Sequence, residues 1–217
     1  MFTNLDLPTL IARVFVLITA FSVHEFAHAW TADRFGDSTP RLAGRLTLNP
    51  MSHLDPIGSL MLLVVGFGWA KPVQVNPYAL SRSSPAAMMW VSLAGPASNL
   101  VMAVIAAIPF RLGLVSASAA IFNPGNILPS VDKLLYEFVF INLILMLFNL
   151  IPIAPLDGEK IAEYFLPPSG ARVLQQIRPY GPLILLAVLF LGPTLGFDLI
   201  GWILVPPLRA LMTLLVG

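Results

Sequence analysis

His24-Glu25-Phe26-Ala27-His28 is an HExxH arrangement. On a helix, residues four apart share one face. Both imidazoles can then bind a single tetrahedral metal ion, and the glutamate beside the first reaches a metal-held water as general base. A pattern with three fixed positions also arises by chance, and a histidine on a helix is often structural. The surroundings weaken that alternative, because the segment from Leu7 to Trp30 is otherwise apolar. Charged groups at the centre of a membrane helix cost about 2.5 to 3.5 kcal/mol each on insertion scales, somewhat less for neutral histidine, and a metal offsets this by giving the polar atoms a partner.

Catalytic zinc takes three protein ligands and leaves a fourth position for water. Cysteine is absent, so the third ligand must be His, Asp or Glu. Asp157 stands out. The run Asn149-Leu150-Ile151-Pro152-Ile153-Ala154-Pro155-Leu156-Asp157-Gly158 ends an apolar stretch with two prolines, which would unwind a helix and turn a carboxylate back towards the membrane. An ordinary interfacial aspartate is the alternative. The remaining histidine, His53, lies in the polar run Asn49 to Pro56 and stays open as a loop residue, a group bonded to a ligand, or an alternative ligand.

The elements that must position these groups are membrane elements. Hydrophobic residues make up 57% of the 217-residue chain and charged residues 11%, with a mean hydropathy of +0.84, far from a soluble domain. The net charge of +1, with twelve scattered Lys and Arg residues that form no basic face, argues against a nucleic-acid partner. The N-terminus lacks a basic start and a small-residue cleavage site, so the first helix is expected to be retained.

Apolar runs at Leu7 to Trp30, Ala86 to Phe110 and Leu134 to Ile151 predict spans. Ile57 to Gly66 is too short to cross and continues through Gly66, Gly68 and Pro72, predicting a re-entrant or hairpin element. The polar stretches Thr31 to Pro56 and Asp157 to Tyr180 read as connections. Pro182 to Leu191 and Leu195 to Val216 read as short, tilted or broken helices, the latter interrupted at Pro206 and Pro207. The expected fold is thus an all-α polytopic membrane protein with about five to six transmembrane helices and a re-entrant β-hairpin. It forms one domain over residues 1–217, with core 7–158 and C-terminal helices 180–217. If His24, His28 and Asp157 share a metal, the segments bearing them must end at one membrane face, which requires an even number of crossings between them. Arg34, Arg41, Arg45, Lys71, Arg82, Lys160, Arg172 and Arg178 can share a face, and the positive-inside rule makes it cytoplasmic, with Arg13, Arg111 and Lys133 opposite.

In this order, HEFAH, FGWAKPVQVNP, AGPASN and FNLIPIAPLDG resemble the site-2 protease family of intramembrane zinc metalloproteases, in its compact form without a PDZ or CBS domain. The match covers Phe21 to Gly158. The resemblance implies one zinc ion per chain held by His24, His28 and Asp157, with Glu25 catalytic. It also implies a β-hairpin at Gly66 to Asn76, whose edge could pair with an unwound substrate. Asn149 and Asn99 correspond to family amides; in a dry site either could bond the scissile carbonyl or oxyanion, while Asn99 could equally serve helix packing. The partners implied are a transmembrane protein substrate and the lipid bilayer, in the cell membrane of a prokaryote. The rival readings are a membrane metal-binding or metal-transport protein, a catalytically silent relative, and a zinc hydrolase acting on lipid.

Overall fold

The computed structural model describes residues 6–58, 69–121 and 127–217. Helix α1 covers Leu7–Arg34, beyond the end expected at Trp30. Asp6 caps it by accepting from the Thr9 backbone N–H, and Pro8 sits in its first turn, where a missing N–H costs nothing. The chain leaves the helix at Gly36, whose φ of 86° suits glycine. Then follow α2 (Thr39–Leu42), α3 (Pro77–Ser83), α4 (Ala87–Arg111), α5 (Ala117–Ile121) and α6 (Val131–Asn149). Beyond these lie α7 (Asp157–Phe165), the helical run α8 (Pro168–Thr194) and α9 (Leu199–Leu215).

Helices α1, α4 and α6 form the centre. Ion pairs Asp6–Lys133 at 2.8 Å and Arg13–Glu137 at 2.9 Å join the N-terminal ends of α1 and α6, so these two run parallel. His28, late in α1, meets the Val91 carbonyl, early in α4, so α4 runs antiparallel to α1. The C-terminal ends of α1 and α6 therefore lie at one face, as a shared metal requires. Small residues let the helices approach closely: Ala12, Val16, Ala20, Ala29 and Ala32 of α1 are fully buried. Ala103, Ala106 and Ala107 of α4 pack with Val139, Leu143 and Met146 of α6 and Leu208 of α9.

Among the described residues, three helices are long and apolar enough to cross a membrane: α1, α4 and α8. Large side chains of α8 such as Leu183 (67% exposed) and Leu191 (59%) face outward, as a lipid-facing surface would. Helix α6 has 19 residues and carries Asp132, Lys133 and Glu137 in its first two turns; α9 has 17.

The structure differs from the sequence reading in several places. The stretch Asp157 to Tyr180 folds as α7 and the first turns of α8. The run to Thr194 is continuous through a 3-10 turn at Arg178–Tyr180 and a π turn at Ala187–Leu191. Pro206 and Pro207 lie inside α9 without ending it: each removes one backbone bond, and the turns on either side keep the helix together. Among the described residues there is no strand, and Leu54 and Ala70 form an isolated antiparallel bridge. The expected re-entrant run Ile57 to Gly66 falls largely outside the described residues; of the hairpin expected at Gly66 to Asn76, residues 66–68 lie outside them and 69–76 are extended without forming a strand.

Candidate metal centre

His24 and His28 project from the last third of α1 against the first half of α4, with 6% and 8% exposure. Asp157 opens α7, just after the proline-rich turn that follows α6. The three side chains converge. His24 Nε2 and His28 Nε2 are 3.0 Å apart, and Asp157 Oδ2 is 3.2 Å from the first and 3.3 Å from the second. Zinc–ligand bonds near 2.0 to 2.1 Å at tetrahedral angles place donor atoms about 3.3 Å apart, so the separations suit such an ion.

The protons make the same point. His24 Nδ1 lies 2.6 Å from Asn99 Oδ1, and His28 Nδ1 lies 2.7 Å from the Val91 carbonyl oxygen. Both partners only accept, so both Nδ1 atoms carry the hydrogen and both Nε2 atoms of the neutral rings present lone pairs. Asp157 Oδ2 is buried and accepts no hydrogen bond. With both rings neutral, three lone pairs face one point, an arrangement that a cation stabilises. These residues could hold a metal.

Gly95 of α4 makes room for the rings. A Cβ there would stand 2.6 Å from His24 Nε2 and meet His28 Nε2 as well. The sequence suggested only close helix packing for this glycine, because its neighbours across the helix interface were unknown. Gly158 is comparably constrained, since a Cβ would meet the Leu150 and Ile151 carbonyls; the backbone behind Asp157 therefore folds tightly on the end of α6.

Glu25 is 8% exposed, and its Oε2 accepts from the Val73 backbone N–H at 3.0 Å. Val73 belongs to an extended stretch, 69–76, held by groups the sequence left unassigned. Arg45, 5% exposed, donates through Nη1 to the carbonyls of Ser52 and Lys71 (2.6 and 3.2 Å) and through Nη2 to that of Pro72 (3.3 Å). The Lys71 N–H donates to the His53 carbonyl at 2.7 Å, and Asp37 Oδ2 accepts from the Asn76 N–H at 2.6 Å. His53 is fully buried with Nε2 2.7 Å from the Thr47 carbonyl oxygen, inside this loop and outside the cluster that could hold a metal.

Asn149 lines the same cavity as His24, Glu25, His28 and Asp157, a space of about 1450 Å³ that extends to Leu185 of α8 and Leu204 of α9. Its Nδ2 donates to the Leu145 carbonyl at 2.9 Å, and the second hydrogen of that amide remains for another acceptor. Asn99 is fully buried behind His24 and is not itself among the residues that line the cavity.

Comparison with known proteins agrees with this chemistry. The model of peptidase family M50 matches residues 110–192, which include Asn149 and Asp157. Similar proteins named "Putative zinc metalloprotease" include YwhC of Bacillus subtilis, 43% identical over 184 residues, 83% of this chain and 80% of that protein. Rip2 of Mycobacterium tuberculosis strain H37Rv is 34% identical over 214 residues, 90% of this chain and 76% of its own length. MJ0611 of Methanocaldococcus jannaschii is 28% identical over 163 residues, 75% of each chain. No solved structure gives a significant match.

Proposed function

Because the chain belongs to peptidase family M50, the site-2 protease family of zinc metalloproteases, we propose that it cleaves transmembrane segments of membrane proteins at a zinc site inside the bilayer. One zinc ion per chain is held by His24, His28 and Asp157. The observation that carries this reading is the convergence of their three lone pairs on one point beside Glu25.

When bound, zinc supplies Lewis acidity, polarising the scissile carbonyl and lowering the pKa of a coordinated water to about 7. The Val73 N–H fixes one oxygen of Glu25, which leaves the other to take the proton of the attacking water and hand it to the leaving nitrogen. Asn149 offers its second amide hydrogen to the scissile carbonyl. The cavity between the centre and the C-terminal helices receives the substrate segment after it has unwound. Gln74 and Val75, whose backbone groups make no hydrogen bond among the described residues, offer a short edge for it to pair with. Lys71, Pro72 and Asn76 are already committed to Arg45, His53 and Asp37, so among the described residues 69–76 of the stretch expected from the sequence this edge is short.

Helices α6 and α9 are taken as further crossings beside α1, α4 and α8, within a single domain over the whole chain. The end of the bundle that carries the metal centre also carries Arg34, Arg41, Arg45, Lys71 and Arg82, and by the positive-inside rule this supports a centre towards the cytoplasm of a prokaryotic cell. A metal-transport reading would explain three ligands, but it gives no role to a buried glutamate held beside them.

Zinc content and cleavage of a reconstituted transmembrane substrate test the scheme together. The wild type should hold near one zinc per chain and cut; Asp157→Ala should lose the zinc; Glu25→Gln should keep it and not cut. Undiminished cleavage by Glu25→Gln would refute the mechanism, and undiminished zinc in Asp157→Ala would refute the ligand set.

A further inference from the structure

The two metal-facing histidines are oriented from behind in different ways. His28 donates directly to the Val91 carbonyl of α4. His24 meets a side-chain amide, which could present either end of its functional group. An asparagine rotated by half a turn would offer Nδ2 to the ring, which would accept at Nδ1 and carry its hydrogen on Nε2, pointing into the metal site. Something must forbid that rotation.

Asn99 Nδ2 donates to Asn142 Oδ1 at 2.9 Å, and Asn142 Nδ2 donates to the Phe138 backbone carbonyl, one turn earlier in α6, at 2.8 Å. Every direction in this chain is forced by its last member. A carbonyl oxygen only accepts, so Asn142 must turn Nδ2 towards Phe138 and Oδ1 towards Asn99. Asn99 must then turn Nδ2 towards Asn142 and Oδ1 towards His24, and His24 must carry its hydrogen on Nδ1. Both asparagines are fully buried, so no water competes for these bonds, and a reversed amide would leave like groups facing each other in an apolar interior.

We infer that Asn142 is a positioning residue for the metal centre: through Asn99 it fixes the tautomer of His24 and keeps the Nε2 lone pair on the metal. The inference rests on the zinc reading above and goes beyond it, since Asn142 touches neither metal nor cavity. It also assigns the polar group of α6 a task distinct from helix packing. The backbone carbonyl of α6 governs a ligand on α1 across the whole width of the three-helix centre, just as the Val91 carbonyl governs the other ligand at first hand.

The test is a double-mutant cycle read in zinc affinity, by chelator competition on detergent-purified protein. Asn142→Leu releases Asn99 and should weaken zinc binding by roughly 10- to 100-fold, the usual effect of losing a group that orients a metal-ligating histidine. Asn99→Asp presents only acceptor oxygens to His24 and has no wrong orientation to adopt. On that background, Asn142→Leu should cost nothing further. A packing role for Asn142 would lower affinity equally on both backgrounds and would overturn the inference. The second readout uses metal-free protein labelled with nitrogen-15 histidine, which has three such residues, His24 being identified by its loss in His24→Gln. Asn142→Leu should move the His24 hydrogen from Nδ1 towards Nε2, and Asn142→Asp, which keeps an acceptor towards Asn99, should not. An unchanged His24 spectrum in Asn142→Leu would refute the relay even if zinc binding fell. Failure of the wild type to bind zinc would refute the metal reading itself, while the spectra of the metal-free proteins would still decide the relay.

Discussion

Replacing Gly95 by alanine adds one methyl group to the wall of the metal centre, and its effect follows from the distances. The new Cβ would stand 2.6 Å from His24 Nε2 and Cε1, whereas ordinary contact begins at 3.4 Å, so that ring must retreat by about 0.8 Å, and His28 must move as well. Metal sites accept deviations of about 0.2 Å in ligand distance. A shift four times larger, imposed on two ligands at once, should cost more than the roughly 10- to 100-fold loss seen when an orienting group alone is removed. Zinc affinity is therefore expected to fall by more than about 100-fold. The fold should survive, because Gly→Ala inside a helix gains about 1 kcal/mol of helix propensity. Chelator competition reports the affinity, and circular dichroism with thermal melting of the metal-free protein reports the fold. Gly170→Ala is the control, since its Cβ meets only the flexible side chain of Leu166, at 3.3 Å and beyond. If Gly95→Ala bound zinc as tightly as the wild type, the two imidazoles could not occupy the positions described, and the lone-pair argument would fall with them.

Two further expectations concern the parts that hold the centre in place. Arg45→Ala leaves the carbonyls of Ser52, Lys71 and Pro72 without their donor, a cost of about 1 to 3 kcal/mol; stretch 69–76 should exchange its amide hydrogens faster and peptidase activity should fall while zinc stays bound, and unchanged exchange would show that the guanidinium does not order the stretch. Glu163 of α7 is raised by burial, but the hydrogen bond from Gln175 and the charges of Lys160 and Arg178 outweigh this and hold its carboxyl below the usual 4.5. A carboxyl with a lowered folded pKa contributes its full stability above the unfolded value and loses it as pH falls through the folded one. The clamp of α7 on Arg178 should therefore loosen below about pH 4.5, seen as faster exchange in 157–165; exchange that ignores pH across that window, after correction for its intrinsic rate, would count against the clamp.

What the sequence revealed and what it concealed divide along a physical line. His24, Glu25 and His28 were legible because helical geometry alone fixes residues four apart on one face. Asp157 was legible because prolines stop a helix at a definite place, and the need for both helix ends to lie at one face tied it to the histidines before any contact was known. The groups that remained hidden act between segments far apart in the chain. Asn142 in an apolar helix looks like any amide that bonds a neighbouring helix; only the forced direction of Phe138 to Asn142 to Asn99 to His24 connects it to the candidate metal centre. Arg45 reads as one more positive loop charge until the three carbonyls around it are seen. Gly95 reads as a spacer until the rings beside it are in place. The polar stretch after Asp157 reads as a connection in the sequence because its charges obscure an amphipathic pattern, yet those same charges, Glu159, Glu163 and Arg178, lock α7 onto α8. Ligand types and spacings follow from local rules, whereas ligand orientation depends on partners that only the packed helices bring together. For that reason Gly95 and Asn142, which look like packing residues in the sequence, are the ones whose substitution should change metal affinity without touching the metal.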